Sequence, residues 1–396
     1  MSVGTPFHER TAPLNRKLAW GDWAGYAAAA VYADHHDIEY NAIRQAAALI
    51  DVSPLYKYLV SGPDALRLVD RVITRDATRL AVGQVFYTPW CDERGKVIDD
   101  GTIARLDESS FRWTAADPCY RWLGMNSTGL DVEVRDVTDS LGALALQGPR
   151  ARAVLEAATG ADWSDVGYFR RREGTVAGIA IDVTRTGYTG DLGYELWVDA
   201  GSAPALWDAL IAAGADHGLR PVGIRAMDVA RVEAGLVLIE VDYTSARLAL
   251  TPEHEYTPFE IGLGRLVSFE KADFVGRRAL EAERDGAVPR RRLVGIELDW
   301  IGIEAAFGRH GLAPAVQPTV NRDPIPIFYA GGQVGRATST CWSPTLKKMI
   351  ALASIGTGVR PDAPLEIEWS VEGERGRVGA KIVDLPFLDL ERKRAS

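Results

Sequence analysis

The fold prediction depends on one stretch, Tyr58-Leu-Val-Ser-Gly-Pro-Asp-Ala-Leu-Arg-Leu-Val-Asp-Arg-Val-Ile73. It predicts a strand that ends at Gly62, Pro63 at an early helical position and then an amphipathic helix. The pattern returns in Ala143-Leu-Ala-Leu-Gln-Gly-Pro-Arg-Ala-Arg-Ala-Val-Leu-Glu156, where Gly148 follows Gly62 by 148 − 62 = 86 residues. Two related α+β modules are one interpretation. The other is that Gly-Pro merely marks two unrelated strand-to-helix turns.

Outside these units the sequence predicts further helices and a β-rich end. Helices are expected near Ile38–Ala48, Ala203–Gly214 and Arg225–Ala234. The charged segment Glu281–Arg292, which contains Asp285-Gly286 and Pro289, is the best candidate for a linker. Strand-like runs follow it at Leu293–Leu298, Gln333–Thr338, Ile350–Ile355, Leu365–Val371 and Arg377–Val383. The last hundred or so residues are therefore expected to form a small, mostly β domain.

Composition excludes several classes of protein. The 396 residues are enough for two or three domains, and 45 Lys and Arg against 54 Asp and Glu give a net charge of −9. That balance argues against a general nucleic-acid binder, and no apolar run is long enough to span a membrane. The three cysteines and the six histidines, of which only His35 and His36 are adjacent, predict neither disulfides nor a metal site. A cytoplasmic protein is the expectation.

Three charged positions are candidates for chemistry, and each has a plain structural alternative. Strand alternation at Asp99-Asp100 would turn one carboxylate toward the core and the other outward, where it could act as an ionised hydrogen-bond acceptor; a turn or cap is the alternative. Glu195, within an apolar strand, could bind two adjacent N–H groups of a planar heterocycle, or could face solvent. Arg231 could equally form an ion pair with a neighbouring acid on its helix.

The glycine loop at residues 187–193 is a poor nucleotide site. Its spacing is GxxGxxG rather than GxGxxG, and a strand follows it instead of a helix. Phosphate binding requires the free N–H groups of a helix N-terminus, and this loop does not lead into one.

Five motifs in order resemble the glycine-cleavage T-protein (aminomethyltransferase) superfamily. They are Glu93-Arg-Gly-Lys-Val-Ile-Asp-Asp100, Leu146-Gln-Gly-Pro149, Arg185-Thr-Gly-Tyr-Thr-Gly-Asp-Leu-Gly-Tyr-Glu195, Arg225-Ala-Met-Asp-Val-Ala-Arg-Val-Glu-Ala-Gly-Leu236 and Ser343-Pro-Thr-Leu-Lys-Lys348. The resemblance implies an α+β fold in which three domains form a cloverleaf around a central hole that holds tetrahydrofolate. Residues 1–285 would contain two interleaved folate-binding α+β modules, and residues 290–396 a C-terminal barrel-like domain.

The resemblance also implies roles for individual residues. Asp100 would be the catalytic carboxylate, Glu195 would hold the pterin donors and Arg231 would line the same site. The other expected pocket residues are Tyr87, Thr114, Tyr168 and Tyr188. Three of these carry flat rings, which suit a pterin and a benzoyl group because aromatic rings stack.

The implied activity is one-carbon transfer to tetrahydrofolate, and three forms of it remain open. The first moves an aminomethyl group from a lipoylated carrier protein, and the second demethylates a small N-, O- or S-methylated compound. The third is a folate-binding accessory protein without catalysis. Trp90 and Gly101 depart from the family's usual residues, and we expect them to reshape the donor side of the pocket. Arg170–Arg172 could bind the folate carboxylates, and the oligomeric state is left open.

Overall fold

The computed structural model describes residues 1–286, 289–316 and 319–395. Its α-helices, in chain order, are α1 His8–Thr11, α2 His36–Gln45, α3 Ala65–Val72, α4 Tyr120–Asn126, α5 Ala151–Thr159, α6 Ala203–Ala213, α7 Ile224–Glu233, α8 Arg277–Gly286 and α9 Trp300–Gly308. Its strands are β1 Trp20–Trp23, β2 Tyr26–Ala29, β3 Ala47–Asp51, β4 Tyr56–Ser61, β5 Val85–Cys91, β6 Val97–Arg105, β7 Ser110–Ala115, β8 Glu133–Asp136, β9 Leu141–Gln147, β10 Arg171–Val176, β11 Ile179–Thr184, β12 Gly193–Asp199, β13 Leu219–Pro221, β14 Arg291–Leu298, β15 Ile325–Tyr329, β16 Gly332–Ser343, β17 Lys348–Gly356, β18 Leu365–Val371 and β19 Glu374–Val383.

Two sheets carry the first part of the chain, and they are interleaved in sequence. The five-stranded sheet has the order β5-β6-β7-β4-β8, and the six-stranded sheet has the order β10-β11-β12-β9-β3-β13. Strand β3 pairs with β9, yet the whole five-stranded sheet lies between them along the chain. The predicted α+β class with interleaved modules is therefore confirmed.

The Gly-Pro repeat is real in structure. Strand β4 leads through Gly62 into α3, and β9 leads through Gly148 into α5. Both glycines have positive φ, 128° and 116°, and a Cβ on either would lie 2.8 Å from a backbone oxygen. The helices begin at Ala65 and Ala151, so each proline lies in the turn before its helix and not within the first helical turn.

One helix prediction was too long. Helix α2 ends at Gln45, and Ala47 and Ala48 already belong to β3. Strand β3 is held between β9 and β13. Hydrogen bonding in the middle of a sheet therefore overrides the helical preference of these alanines.

The C-terminal part is a closed six-stranded barrel of order β14-β17-β16-β15-β18-β19, as the β-rich prediction expected. The first half of the predicted linker is helical, because α8 continues to Gly286, and its last two residues already belong to the barrel, which begins at Arg291. Residues 287–288 of the predicted linker lie outside the described residues. After β19 the chain returns to helix α7, where the Leu388 amide donates to the carbonyl of Glu233. The division at residues 285 and 290 remains a proposal, since this last segment packs on the first part of the chain.

Candidate active site

Asp99 and Asp100 point to opposite faces of β6, and only Asp100 faces the candidate site. Asp99 is fully buried and accepts hydrogen bonds from the backbone N–H groups of Asp100 (2.7 Å), Ala116 (3.0 Å) and Asp117 (3.0 Å). It therefore anchors the turn after β7. The predicted division of the pair into a core-facing and an outward-facing carboxylate agrees with these contacts.

Two phenols hold the Asp100 carboxylate, one on each oxygen. The Tyr87 hydroxyl donates to Oδ2 at 2.6 Å, and the Tyr243 hydroxyl donates to Oδ1. Burial raises the pKa of Asp100, and the two phenol hydrogen bonds oppose that rise. Burial and the charge of Asp100 raise the pKa of both tyrosines well above its usual value, so both remain protonated donors.

Thr114 lies on the same face as Asp100, one position along the sheet. Thr102 pairs with Tyr87 on one side and with Thr114 on the other, so the three side chains form a row across β5, β6 and β7. The Thr114 hydroxyl contacts the Thr102 hydroxyl at 2.5 Å and is almost fully buried. The structure thus brings Tyr87, Thr114 and Asp100 together, and their roles in binding and catalysis stay predictions.

Glu195 extends the site from the second sheet. Its Oε2 accepts a hydrogen bond from the Thr186 hydroxyl at 2.5 Å, and burial raises the pKa of its carboxyl. The charge of Arg112, on β7 of the other sheet, lowers that pKa. Arg112 is fixed over the Trp197 ring, 4.1 Å from its centroid, and pairs with Asp182. A buried carboxylate with a nearby guanidinium can remain ionised and accept N–H donors.

The glycine loop is packed against Gln147 and does not form a phosphate cradle. A Cβ at Gly187 would lie 2.1 Å from the Gln147 side chain, and one at Gly193 would lie 2.3 Å from it. Tyr188, within this loop, donates its hydroxyl to the carbonyl of Val237 at 2.5 Å. Burial raises the Tyr188 pKa, and the charges of Asp100 and Asp242 raise it further. A contact between this ring and folate stays a prediction.

Arg231 lies below the site, and its guanidinium is fully buried. It pairs with Asp228 at 2.8 Å and with Asp242, and it donates to Ser339 of the barrel at 2.7 Å. The ion pair with Asp228 is one of the structural alternatives considered from sequence. Arg231 fixes Asp242, and the next residue, Tyr243, contacts Asp100. A direct contact between Arg231 and folate stays a prediction.

Tyr168 lies beside the last segment of the chain, and its role in folate binding stays a prediction. Its ring packs edge-on against Phe169 with centroids 4.6 Å apart, and the Lys393 Nζ is 5.7 Å from its centroid. The Phe169 carbonyl accepts the Val85 N–H at 2.9 Å, so Tyr168 is placed beside the start of β5.

Trp90 and Gly101 do not reshape the donor side, and both expectations were wrong. Trp90 is paired with Asp99, is fully buried and packs against Trp113 with ring centroids 4.9 Å apart. A Cβ at Gly101 would lie 2.0 Å from the Thr114 oxygen and 3.2 Å from the Trp90 ring. Glycine is required there by close packing, so it opens no space for a donor.

Tyr243 and Arg112 are the site residues that the sequence reasoning missed. Tyr243 lies 143 positions from Asp100 and directly follows Asp242. Asp242 is the ion-pair partner of Arg231, and the position of Tyr243 directly after it is a signal that could have identified Tyr243. Arg112 lies two positions before Thr114 and therefore shares its face of β7, so strand alternation could have revealed it.

One group in the described ranges could hold a metal ion, away from Asp100. It consists of His35, His36 and Asp37, whose potential ligand atoms lie within 4.8 Å of one another. Asp37 Oδ2 is 3.0 Å from His35 Nδ1, and the two groups thereby satisfy each other. In the described part of the chain, no helix combines the length and apolar character needed to cross a bilayer.

Comparison with known families accounts for nearly the whole chain. Residues 8–271 match the profile described as the GCVT N-terminal domain, and residues 291–389 match the glycine cleavage T-protein C-terminal barrel domain. The first range contains both sheets of the site, and the second contains the closed barrel.

Individual relatives agree with these matches. An aminomethyltransferase from Moorella thermoacetica is 36% identical over 359 residues, which cover 90% of each chain. A trimethylamine-oxide aldolase from Ruegeria pomeroyi is 33% identical over 408 residues, which cover 100% of this chain and 48% of that longer protein. The crystal structure of the glycine cleavage system aminomethyltransferase T from Bartonella henselae superimposes with a TM-score of 0.81 at 26% identity, covering 98% of this chain and 99% of that one.

Proposed function

The chain belongs to the glycine cleavage T-protein family, and on that premise we propose that it transfers an aminomethyl or methyl group to tetrahydrofolate. The observation that carries the proposal is the buried Asp100 carboxylate, held on both oxygens by the phenols of Tyr87 and Tyr243. A protein that only bound folate would not need a carboxylate oriented in this way.

The donor and acceptor groups of the site suit a reduced folate. Tetrahydrofolate, when bound, supplies the secondary-amine nitrogen that accepts the one-carbon unit. The pterin edge is rich in N–H groups, and the Glu195 carboxylate is an acceptor for such groups. Arg112 favours the ionised form of Glu195, which burial alone would disfavour. The residues present therefore fit the expected cofactor.

Asp100 acts on the reaction through position and charge. Each of its oxygens accepts one phenol hydrogen bond and keeps a further lone pair for an N–H of the acceptor. The carboxylate would orient that nitrogen and stabilise the positive charge that develops on it during attack. Because the phenols are already in place, the carboxylate has no need to reorganise during the reaction.

The proposal has two forms, which differ in the one-carbon donor. The first form uses an aminomethyl group on a lipoylated carrier protein, as the name of the Moorella thermoacetica relative suggests. The second form uses a small methylated compound. It is favoured by the match to a trimethylamine-oxide aldolase, because that match extends over the whole of this chain.

Turnover assays with defined donors test the proposal. The protein is incubated with tetrahydrofolate and either carrier-bound aminomethyl donor or a panel of small N-, O- and S-methylated compounds, and the folate products are identified by mass. Methyl- or methylene-tetrahydrofolate from one donor class is expected. Asp100→Asn should abolish turnover and retain folate binding, whereas Asp165→Asn, at an exposed surface ion pair, should leave turnover unchanged. Folate binding without turnover of any donor would favour the accessory role.

The role of Glu195 is tested separately by binding. Glu195→Gln replaces one accepting oxygen by an amide and should weaken tetrahydrofolate binding about 10- to 100-fold, as expected for one or two lost charged hydrogen bonds. Affinity is measured by titrating the protein with tetrahydrofolate and following the fluorescence of its eleven tryptophans. Unchanged affinity would remove Glu195 from the proposed pterin site.

A further inference from the structure

Three side chains with metal-ligating atoms lie at the start of α2, and we call them the His35 cluster: His35, His36 and Asp37. His35 is the cap of the helix, with an extended backbone (φ −141°, ψ 145°) and a side chain that accepts the Asp37 N–H. Consecutive residues inside a helix do not face each other, and the sequence predicted no metal site at this pair. Because His35 lies outside the helix, its ring can turn toward His36, and the two ring centroids are 4.6 Å apart. The cap conformation therefore brings the two imidazoles together.

The Asp37 carboxylate faces both imidazoles. Its Oδ2 is 3.0 Å from His35 Nδ1, and its Oδ1 is 3.4 Å from His36 Nε2. One potential ligand atom from each of the three residues lies within 4.8 Å of the other two. Ligand atoms bound to a tetrahedral zinc ion are about 3.3–3.6 Å from one another, since each lies about 2.0–2.2 Å from the metal. The two measured separations are close to that spacing, and the half-exposed His35 side chain is free to adjust the third.

His36 is the buried member of the cluster, and its ring nitrogens lack a well-aligned partner. Its side chain is 7% exposed. Among the described residues, no hydrogen bond reaches either ring nitrogen, and the Asp37 carboxylate at 3.4 Å is the charged group nearest to Nε2. Buried polar side-chain atoms normally have a hydrogen-bond or metal partner. A ligand held beside the cluster would supply the one that His36 lacks.

A cavity of about 220 Å³ lies against the His35 cluster. All three residues of the cluster line it, together with Val229 of α7 and Cys341 and Trp342 of β16. The Cys341 thiol lies outside the group of atoms that could share one ion. The cavity exceeds the space that one water needs, so an ion and a further small ligand fit within it. None of the residues that line it belongs to the site around Asp100.

We propose that the His35 cluster binds a divalent transition-metal ion of the zinc type and leaves one coordination position open toward the cavity. The ligands are His35 Nδ1, His36 Nε2 and the Asp37 carboxylate. Imidazole nitrogens suit zinc and its neighbours, whereas magnesium and calcium take oxygen ligands. Structural zinc sites have four protein ligands, and zinc sites that carry out chemistry have three with water or substrate at the fourth position. The open position here takes water or another small Lewis base.

Calorimetric titration of the untagged, chelator-treated protein with Zn²⁺ alone tests the proposal. We expect one ion per chain with a Kd of about 10 μM or lower. Mg²⁺ at about a hundredfold excess should not displace it, because two of the three ligands are nitrogens. Failure to bind Zn²⁺, or its displacement by Mg²⁺ at that excess, would overturn the site. Neither outcome bears on the proposed function, because the measurement contains no folate.

Variants locate the bound ion. His35→Asn combined with His36→Gln removes both imidazoles and keeps a residue that is favoured as a helix cap, so the start of α2 should remain folded. We expect this variant to bind Zn²⁺ about 100-fold more weakly than the parent or not at all. His217→Gln combined with His254→Gln is the matched control, because neither histidine belongs to a group of potential ligands in the described ranges. Zn²⁺ affinity retained in the first variant, or lost equally in both, would overturn the assignment.

The carboxylate is tested by a smaller change that keeps both imidazoles. Asp37→Asn should weaken Zn²⁺ binding about tenfold or more, because the amide is a neutral and poorer ligand. The thermal midpoint of each metal-free variant, compared with that of the metal-free parent, shows whether the fold is retained. An Asp37→Asn variant that binds Zn²⁺ as tightly as the parent would refute the three-ligand site.

The visible absorption of bound Co²⁺ tests the open position. Four-coordinate Co²⁺ absorbs strongly in the visible range, and six-coordinate Co²⁺ absorbs weakly. We expect strong bands that shift when azide is added, because this small anion replaces the water at the fourth position. Strong bands that azide leaves unchanged would show a closed site, and weak bands would contradict the tetrahedral geometry; either result would overturn the open position.

Discussion

Replacing Tyr243 by phenylalanine removes one of the two hydrogen bonds that hold the Asp100 carboxylate. The ring remains in its buried position, and only the donor to Oδ1 is lost. Because that bond favours the ionised carboxylate, its loss raises the pKa of Asp100 above its value in the parent protein. The other groups acting on Asp100 are Tyr87, which still donates, Asp242, whose charge raises the same pKa, and the neighbouring Asp99 carboxyl.

The size of the effect follows from the strength of a hydrogen bond to a charged group. Such a bond contributes about 1.5–3 kcal/mol, and about 1.36 kcal/mol corresponds to one pH unit, so the acid limb of kcat/KM should move upward by about 1–2 pH units. Asp100 must be ionised to stabilise a developing positive charge, so activity falls when the pH drops below this limb. The variant should therefore lose activity most strongly at pH values below the displaced limb and recover at pH values above it.

The assay is the pH dependence of kcat/KM with whichever donor class the turnover experiments identify. Tyr256→Phe is the matched control, because Tyr256 packs edge-on against Tyr243 with centroids 6.4 Å apart. The Tyr256 hydroxyl contacts Arg336, not Asp100, so its acid limb should stay in place. A Tyr243→Phe profile that falls uniformly without a displaced limb would refute the hydrogen-bond argument.

Three further predictions concern stability. Burial raises the pKa of Asp100, so its carboxylate weakens folding as the pH rises above the ordinary carboxyl range. Asp100→Asn should therefore raise the thermal midpoint by about 2 °C or more, with a larger gain at pH 8 than at pH 5. A lower thermal midpoint at pH 8 would contradict this. Arg231→Met leaves Asp242 without its cation, while Asp228 keeps its pair with Arg322, and it should lower the free energy of unfolding in urea by about 3–5 kcal/mol; a loss below about 1 kcal/mol would show that the network is dispensable. Gly101→Ala should lower the free energy of unfolding by about 1–3 kcal/mol, because the new Cβ meets the Thr114 oxygen. Gly124→Ala, in α4 with open space around the new Cβ, should be neutral or stabilising. Equal effects of the two substitutions would remove the packing explanation.

The sequence predicted the parts of the fold that local pattern controls. The Gly-Pro repeat marks true strand-to-helix units, and the strand-like runs after residue 290 form the barrel. The boundaries of α2 and α8 were less predictable. Helix α2 stops where β3 begins, and β3 is fixed by pairing with β9 and β13, which are distant in sequence. In Glu281–Arg292, the charged and turn-forming residues concealed the helical segment that ends at Gly286.

The site was predictable where neighbouring strands carry its residues. Tyr87, Asp100 and Thr114 lie on three adjacent strands, and strand alternation places them on one face. Tyr243 was not predictable from pattern, because it approaches Asp100 from a segment outside the regular strands and helices. Trp90 was misjudged because a motif comparison places a residue in sequence and does not show which face of β5 it occupies.

The interleaving of the two sheets has a consequence for how the protein is made on the ribosome. Strand β3 is synthesised early, but its partner β9 emerges only after the complete five-stranded sheet has been translated. The sheet that carries Asp100 can therefore close while β3 still lacks a neighbour on that side. Since β3 is almost entirely apolar, the nascent chain exposes a strand edge during that interval, and such edges are where aggregation begins. Slower translation just after Gln147 would give β3 and β9 time to pair before later strands compete for the same edge.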